Sequence, residues 1–517
     1  MPKPLKPFFV KFMNKSLIMI EKTGNALPHP ATIFALFAVL VILASGVAAY
    51  FDLHALHPAT NAKVLPVNLM TVEGLHRILL EMVTNFTSFA PLGIVLVAML
   101  GIGIAEHSGL ISAFIRLLVL SAPKRLLTII LVFSGVMSNV GSDVGYVLLI
   151  PLAGVIFIAV DRHPIAGMAA AFAGVSGGFS ANLFLGTIDP LLAGLSEEAA
   201  RIVDPAYTVD PTANYYFMAV STFFITFAGT WVTERIVEPR LGPYIDPDMA
   251  PKENIEKLGH TEKKGLLFTL LTACIIAAVI LWGILPQDGF LRGANSSVLK
   301  SPLIKGVVAL LFLSAGALGL AYGFASGTFR NDDDVVRGMG KSMQTMGLYL
   351  VLVFFAAQFV SYFKWSNLGT IISIKGANAL SSSGLGLIPL MILFILLAAF
   401  LNMIMGSASA KWALIAPVFV PMFMFLGYSP ELTQVAYRIG DSISNVISPM
   451  MSFFALIIAF IQKYDKNAGL GTVMATMLPY SIAFFFIWTI LIIIWIMFDL
   501  PLGPGVSMHY VIPNSIK

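Results

Sequence analysis

Four charged residues stand where charge is costly. Asp143, Asp189, Arg438 and Asp441 all lie inside long apolar stretches of the chain. A charged side chain at the centre of a bilayer costs roughly 2.5–3.5 kcal/mol on insertion scales, so such a group faces a protein interior and is retained for a task. Asp143 ends the polar run Ser138-Asn139-Val140-Gly141-Ser142-Asp143, where it reads either as a membrane-depth functional group or as the cap of a hairpin. Asp189 sits in Asn182-Leu183-Phe184-Leu185-Gly186-Thr187-Ile188-Asp189-Pro190 with no basic residue beside it, which makes it a candidate for a proton or a substrate group. Arg438 and Asp441, in Tyr437-Arg438-Ile439-Gly440-Asp441-Ser442, share a helix face and are placed to pair with each other. The plain alternative for that pair is a structural salt bridge.

Neutral oxygens gather around the same stretches. Asn139 and Ser142 precede Asp143, Asn182 precedes Asp189, Ser407 precedes Lys411, and Asn445 follows Asp441. Broken transporter helices build Na⁺ sites from oxygens of this kind, so Na⁺ stands beside H⁺, or in its place, as the coupling ion. Trp412 follows Gly406-Ser407-Ala408-Ser409-Ala410-Lys411 and reads either as an interfacial anchor or as a platform for a planar ligand. Lys411 reads as snorkelling to the outer face. The eight histidines (His29, His54, His57, His76, His107, His163, His260 and His509) all fall in predicted loops or ends, so any coupled proton must ride on aspartates. The single cysteine, Cys274, allows neither an intrachain disulfide nor a cysteine metal site.

The elements that must position these groups are membrane helices. Of the 517 residues, 58% are hydrophobic and only 11% charged, against about a quarter charged in a soluble chain. Such a chain cannot cover itself with polar surface. A net charge of +4 is too small and too scattered for nucleic-acid binding. Apolar runs long enough to span occur at 31–51, 86–105, 214–237, 264–284, 303–327, 343–363 and 474–498. The runs 165–190 and 431–462 are interrupted by Gly, Ser, Asn and Asp, while 126–160 and 386–426 read as half-length pairs around a polar break. The expected fold is all-α and polytopic, with about nine transmembrane helices and two re-entrant hairpins. Lys3, Lys6, Lys11, Lys15 and Lys22 precede the first span, so no cleavable signal is expected there, and Phe8–Ile20 reads as an interfacial helix. With the N-terminus cytoplasmic, most Lys and Arg fall in inner loops, as the positive-inside rule requires.

An internal repeat follows. Spanning helix, short amphipathic stretch, broken hairpin, broken helix and spanning helix occur in that order at 86–237 and again at 343–498. The first unit crosses an odd number of times, so the second starts from the opposite face, giving an inverted repeat. The segments are therefore 1–85, 86–237 with hairpin 126–160, 238–342, 343–498 with hairpin 386–426, and the tail 499–517. Non-helical backbone survives at membrane depth only where it lines a cavity or is buried in protein. Four breaks at matching places therefore outline a site between the repeats, although Gly and Ser also serve helix packing in membranes. Other classes fit less well. An aspartyl intramembrane protease wants Gly-x-Gly-Asp, and Ile439-Gly440-Asp441 lacks the first glycine. A metalloprotease wants His-Glu-x-x-His, a primary pump wants a Walker motif, and a channel wants a continuous polar pore. The chain reads as a secondary transporter and not as an enzyme.

These residues, in this order, resemble the p-aminobenzoyl-glutamate transporter (AbgT) family of bacterial inner-membrane transporters over nearly the whole chain. The resemblance begins at Gly24-Asn25-Ala26-Leu27-Pro28-His29-Pro30, includes Asn85-Phe86-Thr87-Ser88-Phe89-Ala90-Pro91-Leu92-Gly93, and ends at Pro501-Leu502-Gly503-Pro504-Gly505. Its most specific parts are Ala173-Gly174-Val175-Ser176-Gly177-Gly178-Phe179-Ser180-Ala181-Asn182-Leu183, the hairpin 406–417 and the stretch 437–442. It implies a homodimer, nine transmembrane helices with two hairpins per protomer, and an elevator-type relative of the dicarboxylate transporters. It also implies folate-pathway substrates: p-aminobenzoyl-glutamate inward, or p-aminobenzoate and sulfonamide antimetabolites outward. The family's functional positions fall on Asp189, Ser409, Trp412, Pro430, Arg438, Asp441 and Pro449. The Gly-Ser-Ala-Ser-Ala hairpin and the turn Thr187-Ile188-Asp189-Pro190 look most like the branch described as sulfonamide exporters, and Lys411 stands outside that pattern. No cofactor is expected beyond the coupling ion. Arg438 and helix N-termini suit a carboxylate or sulfonyl oxygen, with Trp412 and Asn182 beside them for the ring and its polar groups.

Overall fold

A computed structural model describes residues 28–58, 61–121, 123–140, 145–244, 258–293, 298 and 301–511. The predicted interfacial helix at Phe8–Ile20, together with Ser142 and Asp143, lies outside the described residues. The fold is all-α and polytopic; among the described residues β-pairing is limited to a two-residue ladder of Ala55–Leu56 with Lys63–Val64 and an isolated bridge of Tyr428 with His509.

Helix α1 (Pro30–Tyr50) is followed by the amphipathic α2 (Val72–Thr87) and the spanning α3 (Ala90–His107). The short α4 (Leu110–Leu120) then bends into the first hairpin, formed by α5 (Leu127–Met137) and α6 (Ile150–Ala159). The first broken helix is α7 (Pro164–Phe172), a widened turn at Ala173–Gly177, non-helical backbone, and α8 (Ile188–Ala200). Gly174, Gly177 and Gly178 hold a helix poorly, and Pro190 in the first turn of α8 restarts it. The spanning α9 (Tyr215–Val232) closes the unit. Helices α10 (His260–Ile284) and α11 (Val307–Ser326) and the acidic-capped α12 (Asp332–Thr345) connect to the second unit.

The second unit repeats the order. Spanning α13 (Gly347–Trp365) and short α14 (Leu368–Ser382) precede a hairpin of α15 (Leu387–Asn402) and α16 (Ala408–Phe425). The second broken helix is α17 (Pro430–Asn445) and α18 (Phe454–Gln462), and the spanning α19 (Leu470–Met497) ends it. Among the described residues eight helices are long and apolar enough to cross a bilayer, or nine when the bent pair of α4 with the first hairpin arm is counted as one. Seven of the eight are the clear spans read from sequence. The eighth is α16, which the sequence reading took for half of a hairpin. Its 18 residues are long enough because the helix runs through Pro417 and Pro421 without stopping.

Helix α17 lies at the centre. All sixteen of its residues are buried, although they include Glu431, Gln434, Arg438, Asp441 and Asn445. A polar helix with no exposed face must find its partners inside the protein. It packs against α15, α16, α8 and α19. Gly440 allows the closest of these approaches: a Cβ there would stand 2.4 Å from the Ile395 carbonyl oxygen and 2.6 Å from Ala398 Cβ. That crossing brings Asn402, at the end of α15, onto the face of α17.

Candidate functional site

Asp189 is the second residue of α8, where the positive end of the helix favours a carboxylate. Its Oδ2 accepts the Gly186 N–H at 2.7 Å, which ties the broken backbone to the helix start. Its Oδ1 forms an ion pair with Nη1 of Arg438 at 2.7 Å, outside hydrogen-bond geometry, with the two side chains 1% and 3% exposed. This corrects the sequence reading twice. Asp189 does have a basic partner, supplied by the other repeat, and Arg438 does not pair with Asp441. The partner of Asp441 is Lys411, which is 1% exposed and so does not snorkel outward. The hairpin tip itself is partly open, with Ser407 exposed, but the chain is largely buried from Ala410 on, and the four-carbon stem of Lys411 reaches inward from the first turn of α16 to Asp441 Oδ1 and Asn402 Oδ1.

Arg438 is only half engaged. Its Nε and Nη2 are buried without a hydrogen-bond partner. Orphaned buried donors of a charged group are rare and call for a reason. Arg438 lines a narrow gap, closed too tightly in this conformation to hold a water molecule, together with Ser180, Asn214, Phe217, Met218, Val435, Ile439 and Trp488. Where the gap opens, a guanidinium edge with two free N–H groups, aromatic walls and two polar neighbours suits a planar anion held by a bidentate contact.

Trp412 is neither an interfacial anchor nor a free platform. It is fully buried, stacked on Tyr437 with centroids 4.5 Å apart and planes inclined by 24°, and its indole N–H donates to Ser196 Oγ at 2.9 Å. A polar chain runs on from there. Ser196 Oγ donates to Gln434 Oε1 at 2.6 Å, Gln434 Nε2 to Asn214 Oδ1 at 2.7 Å, and Asn214 Nδ2 to the Glu431 carbonyl at 3.0 Å. Tyr207 closes it on the Glu431 carboxylate at 2.9 Å. The chain joins α8, α9, α16 and α17, and its Asn214 reaches the same cleft as Arg438.

The remaining candidates take separate places. Pro430 opens α17 behind the cap Ser429, whose Oγ accepts the Leu432 N–H at 3.3 Å. Pro449 is half-buried in the break after α17. Ser407 and Ser409 face each other at 3.3 Å at the tip of the second hairpin. The oxygens read as a Na⁺ set fall into two groups. Asn139 and Asn182 both donate to the Val136 carbonyl, at 3.1 and 3.5 Å. Asn445 belongs instead to the second hairpin's cluster, accepting from Asn402 at 2.7 Å and donating to Asp441 Oδ2 at 3.2 Å. Among the described residues no hydrogen bond links the two groups. Sequence reading missed Asn402, Ser196, Asn214 and Gln434. The one signal for Asn402 was a lone carboxamide ending an apolar helix, and Ser196, among Leu195, Glu197 and Glu198, looks like a surface position.

Comparison with known proteins gives a consistent result. Residues 15–510 match the AbgT putative transporter family. The p-aminobenzoyl-glutamate transport protein of Escherichia coli (strain K12) is 38% identical over 488 residues, 94% of this chain and 96% of that protein. Among solved structures, the YdaH transporter of Alcanivorax borkumensis aligns with a TM-score of 0.88 at 44% identity, over 92% of this chain and all of that one. MtrF of Neisseria gonorrhoeae, described as illuminating a class of antimetabolite efflux pumps, aligns with a TM-score of 0.90 at 50% identity, over 95% of this chain and all of that one.

Proposed function

The chain belongs to the AbgT putative transporter family, and we propose that it is an ion-coupled secondary transporter, driven by H⁺ and/or Na⁺, that exports p-aminobenzoate-like antimetabolites such as sulfonamides. The carrying observation is the pair of unpartnered N–H groups on buried Arg438, a residue that lines a narrow gap together with Phe217 and Trp488. A carboxylate or sulfonyl group supplies the two acceptors, and the aromatic walls suit the attached ring. Asp189 holds the guanidinium from behind and, on this reading, exchanges its hold on Arg438 for the coupling ion as the substrate leaves. The protein works as a homodimer in the bacterial inner membrane, N-terminus cytoplasmic, with the hairpins and broken helices moving against the spanning scaffold.

Export is favoured by the 50% identity to MtrF. A second reading, import of p-aminobenzoyl-glutamate, has the support of the Escherichia coli relative's name at 38% identity. The two separate in cells given labelled sulfonamide or labelled conjugate, with and without the proton gradient and Na⁺. Export predicts lower drug accumulation with wild type, restored to the level of cells lacking the protein by Asp189→Ala or by collapsing the driving gradient. Higher uptake of the conjugate, with drug accumulation unchanged, would replace export with import.

A further inference from the structure

The Lys411–Asp441 contact lies outside the substrate cleft and is built with care. Asn402 Nδ2 shares its two N–H groups among the Asp441 carbonyl at 2.9 Å, Ser444 Oγ at 2.9 Å and Asn445 Oδ1 at 2.7 Å, which turns its Oδ1 the other way, toward Lys411. Asn445 Nδ2 holds Asp441 Oδ2 at 3.2 Å, leaving Oδ1 for the ammonium. Ser448 Oγ anchors the Asn402 carbonyl at 2.8 Å. Both oxygens that meet Nζ are thus aimed by groups other than the lysine, as ligands of a metal ion are aimed by the groups behind them. A buried, oriented carboxylate and carboxamide oxygen make a site for a hard monovalent cation.

The lysine, by contrast, has nothing local in its favour. It stands in the first turn of α16, just after the cap Ser407, where the helix end is positive and disfavours a cation. It is removed from water and has one carboxylate to compensate it. The other buried carboxylate of the site, Asp189, is held by Arg438. Ammonium and carboxylate balance one to one, so a second cation entering here meets no free charge. Among the described residues no group of three or more His, Cys, Asp or Glu forms an alternative metal site.

We propose that the Lys411 ammonium is a tethered monovalent cation: it fills the oxygen site of Asp441 and Asn402, so that this site binds no free Na⁺. The inference goes beyond the transport reading, since it concerns cation occupancy and stands whatever the substrate and direction prove to be. Its consequence for transport is that Na⁺, if it couples at all, couples elsewhere.

The test is Na⁺ binding to the purified full-length protein, read as saturable binding of radiolabelled Na⁺ and as the change in thermal midpoint when choline chloride is replaced by NaCl at constant ionic strength. Wild type is expected to show no Na⁺ binding and no Na⁺-specific shift that Asp441→Asn removes; binding that Asp441→Asn leaves unchanged lies elsewhere and agrees with the proposal. Lys411→Met leaves Asp441 buried without a counter-charge and is expected to gain saturable Na⁺ binding, with a Na⁺-specific rise in midpoint of about 5 °C at saturating ion. Lys411→Ala is expected to recover its midpoint with ethylammonium, which restores the missing cation without the tether. The double variant Lys411→Met with Asp441→Asn, having no charge to balance, is expected to fold without Na⁺ and bind none. Saturable Na⁺ binding by wild type that Asp441→Asn abolishes would overturn the proposal. So would a Lys411→Met protein that is folded in choline and gains no Na⁺ binding. Should Lys411→Met fail to fold in either salt, the wild-type and Asp441→Asn measurements decide the matter alone.

Discussion

The two broken helices start alike and diverge where they break. Each begins with a proline behind a capping side chain: His163 Nδ1 accepts the Ile165 N–H at 3.2 Å before Pro164, and Ser429 Oγ accepts the Leu432 N–H at 3.3 Å before Pro430. Each break touches its own hairpin through a glycine too close for a side chain. A Cβ on Gly186 would meet the Asn139 carbonyl at 2.7 Å, and one on Gly406 the Met450 carbonyl at 1.9 Å. The backbone plan is therefore repeated, but the charges are not. The first unit brings Asp189 to the centre, and the second brings Lys411, Arg438 and Asp441. One ion pair consequently crosses between units and the other lies within the second. The proposed motion of hairpins and broken helices together carries both pairs; a shift of the first broken helix against the second would strain Asp189–Arg438 and leave Lys411–Asp441 intact. One pair thus ties the two units to each other, and the other ties the second hairpin to its own broken helix.

The largest effect should come from cutting the pair that crosses. Arg438→Ala strands a buried carboxylate, and removing one partner of a buried pair costs roughly 3–5 kcal/mol; transport should vanish and the thermal midpoint should fall. Arg438→Lys keeps the charge but loses the free fork. Its midpoint should lie close to wild type while substrate flux in proteoliposomes falls at least about tenfold, a loss of about 1.4 kcal/mol of binding. Full flux from Arg438→Lys would show that the two free N–H groups do not hold substrate, and the crossing pair would then be a strut.

Trp412 sharpens the same contrast at smaller scale. It belongs to the second unit, yet its N–H reaches Ser196 on α8 in the first. Trp412→Phe keeps the stack on Tyr437 and removes that one bond, worth about 1 kcal/mol. A drop in midpoint with transport retained is expected, because the ring is buried against Tyr437 and not open to a ligand. Loss of flux at an unchanged midpoint would put the indole on the substrate path and return it to the role that sequence suggested.

What sequence could show here was the chemistry of the lipid boundary. Spans were legible because hydrocarbon demands about 20 apolar residues in a row, and breaks were legible because Gly, Ser and Asn interrupt such rows at a cost that only an interior site offsets. Pairings were not. Arg438 and Asp441 are helix neighbours, and local spacing pointed to a pair, but each had a stronger option from another helix. Lys411 was read by the habit of surface lysines, because nothing in its neighbours says that its side chain turns inward from a partly exposed hairpin tip. Asn402 gave only a lone polar residue at the end of an apolar run, and its value lies entirely in the close crossing that Gly440 permits.

The smallest effect tests the starts of the two broken helices, where the units differ by one titratable atom. His163 lies in the turn between α6 and α7, and partial burial lowers its pKa below the ordinary histidine value. A lowered folded pKa means that the unfolded chain binds the proton more readily, so the contribution is fully present above the unfolded pKa, about 6.5, and is lost as pH falls through the folded value. Protonation also removes the lone pair on Nδ1 that accepts from Ile165, and losing such a cap costs about 0.5–2 kcal/mol. Ser429 has no proton to gain in this range. Amide hydrogen exchange in α7, corrected for its intrinsic pH dependence, should therefore quicken between pH 7 and pH 5 while corrected exchange in α17 stays flat, and His163→Asn should flatten the α7 response. Equal responses in both helices, or an α7 response that survives His163→Asn, would mean that the two starts are equivalent and that the difference between the units begins only at the breaks.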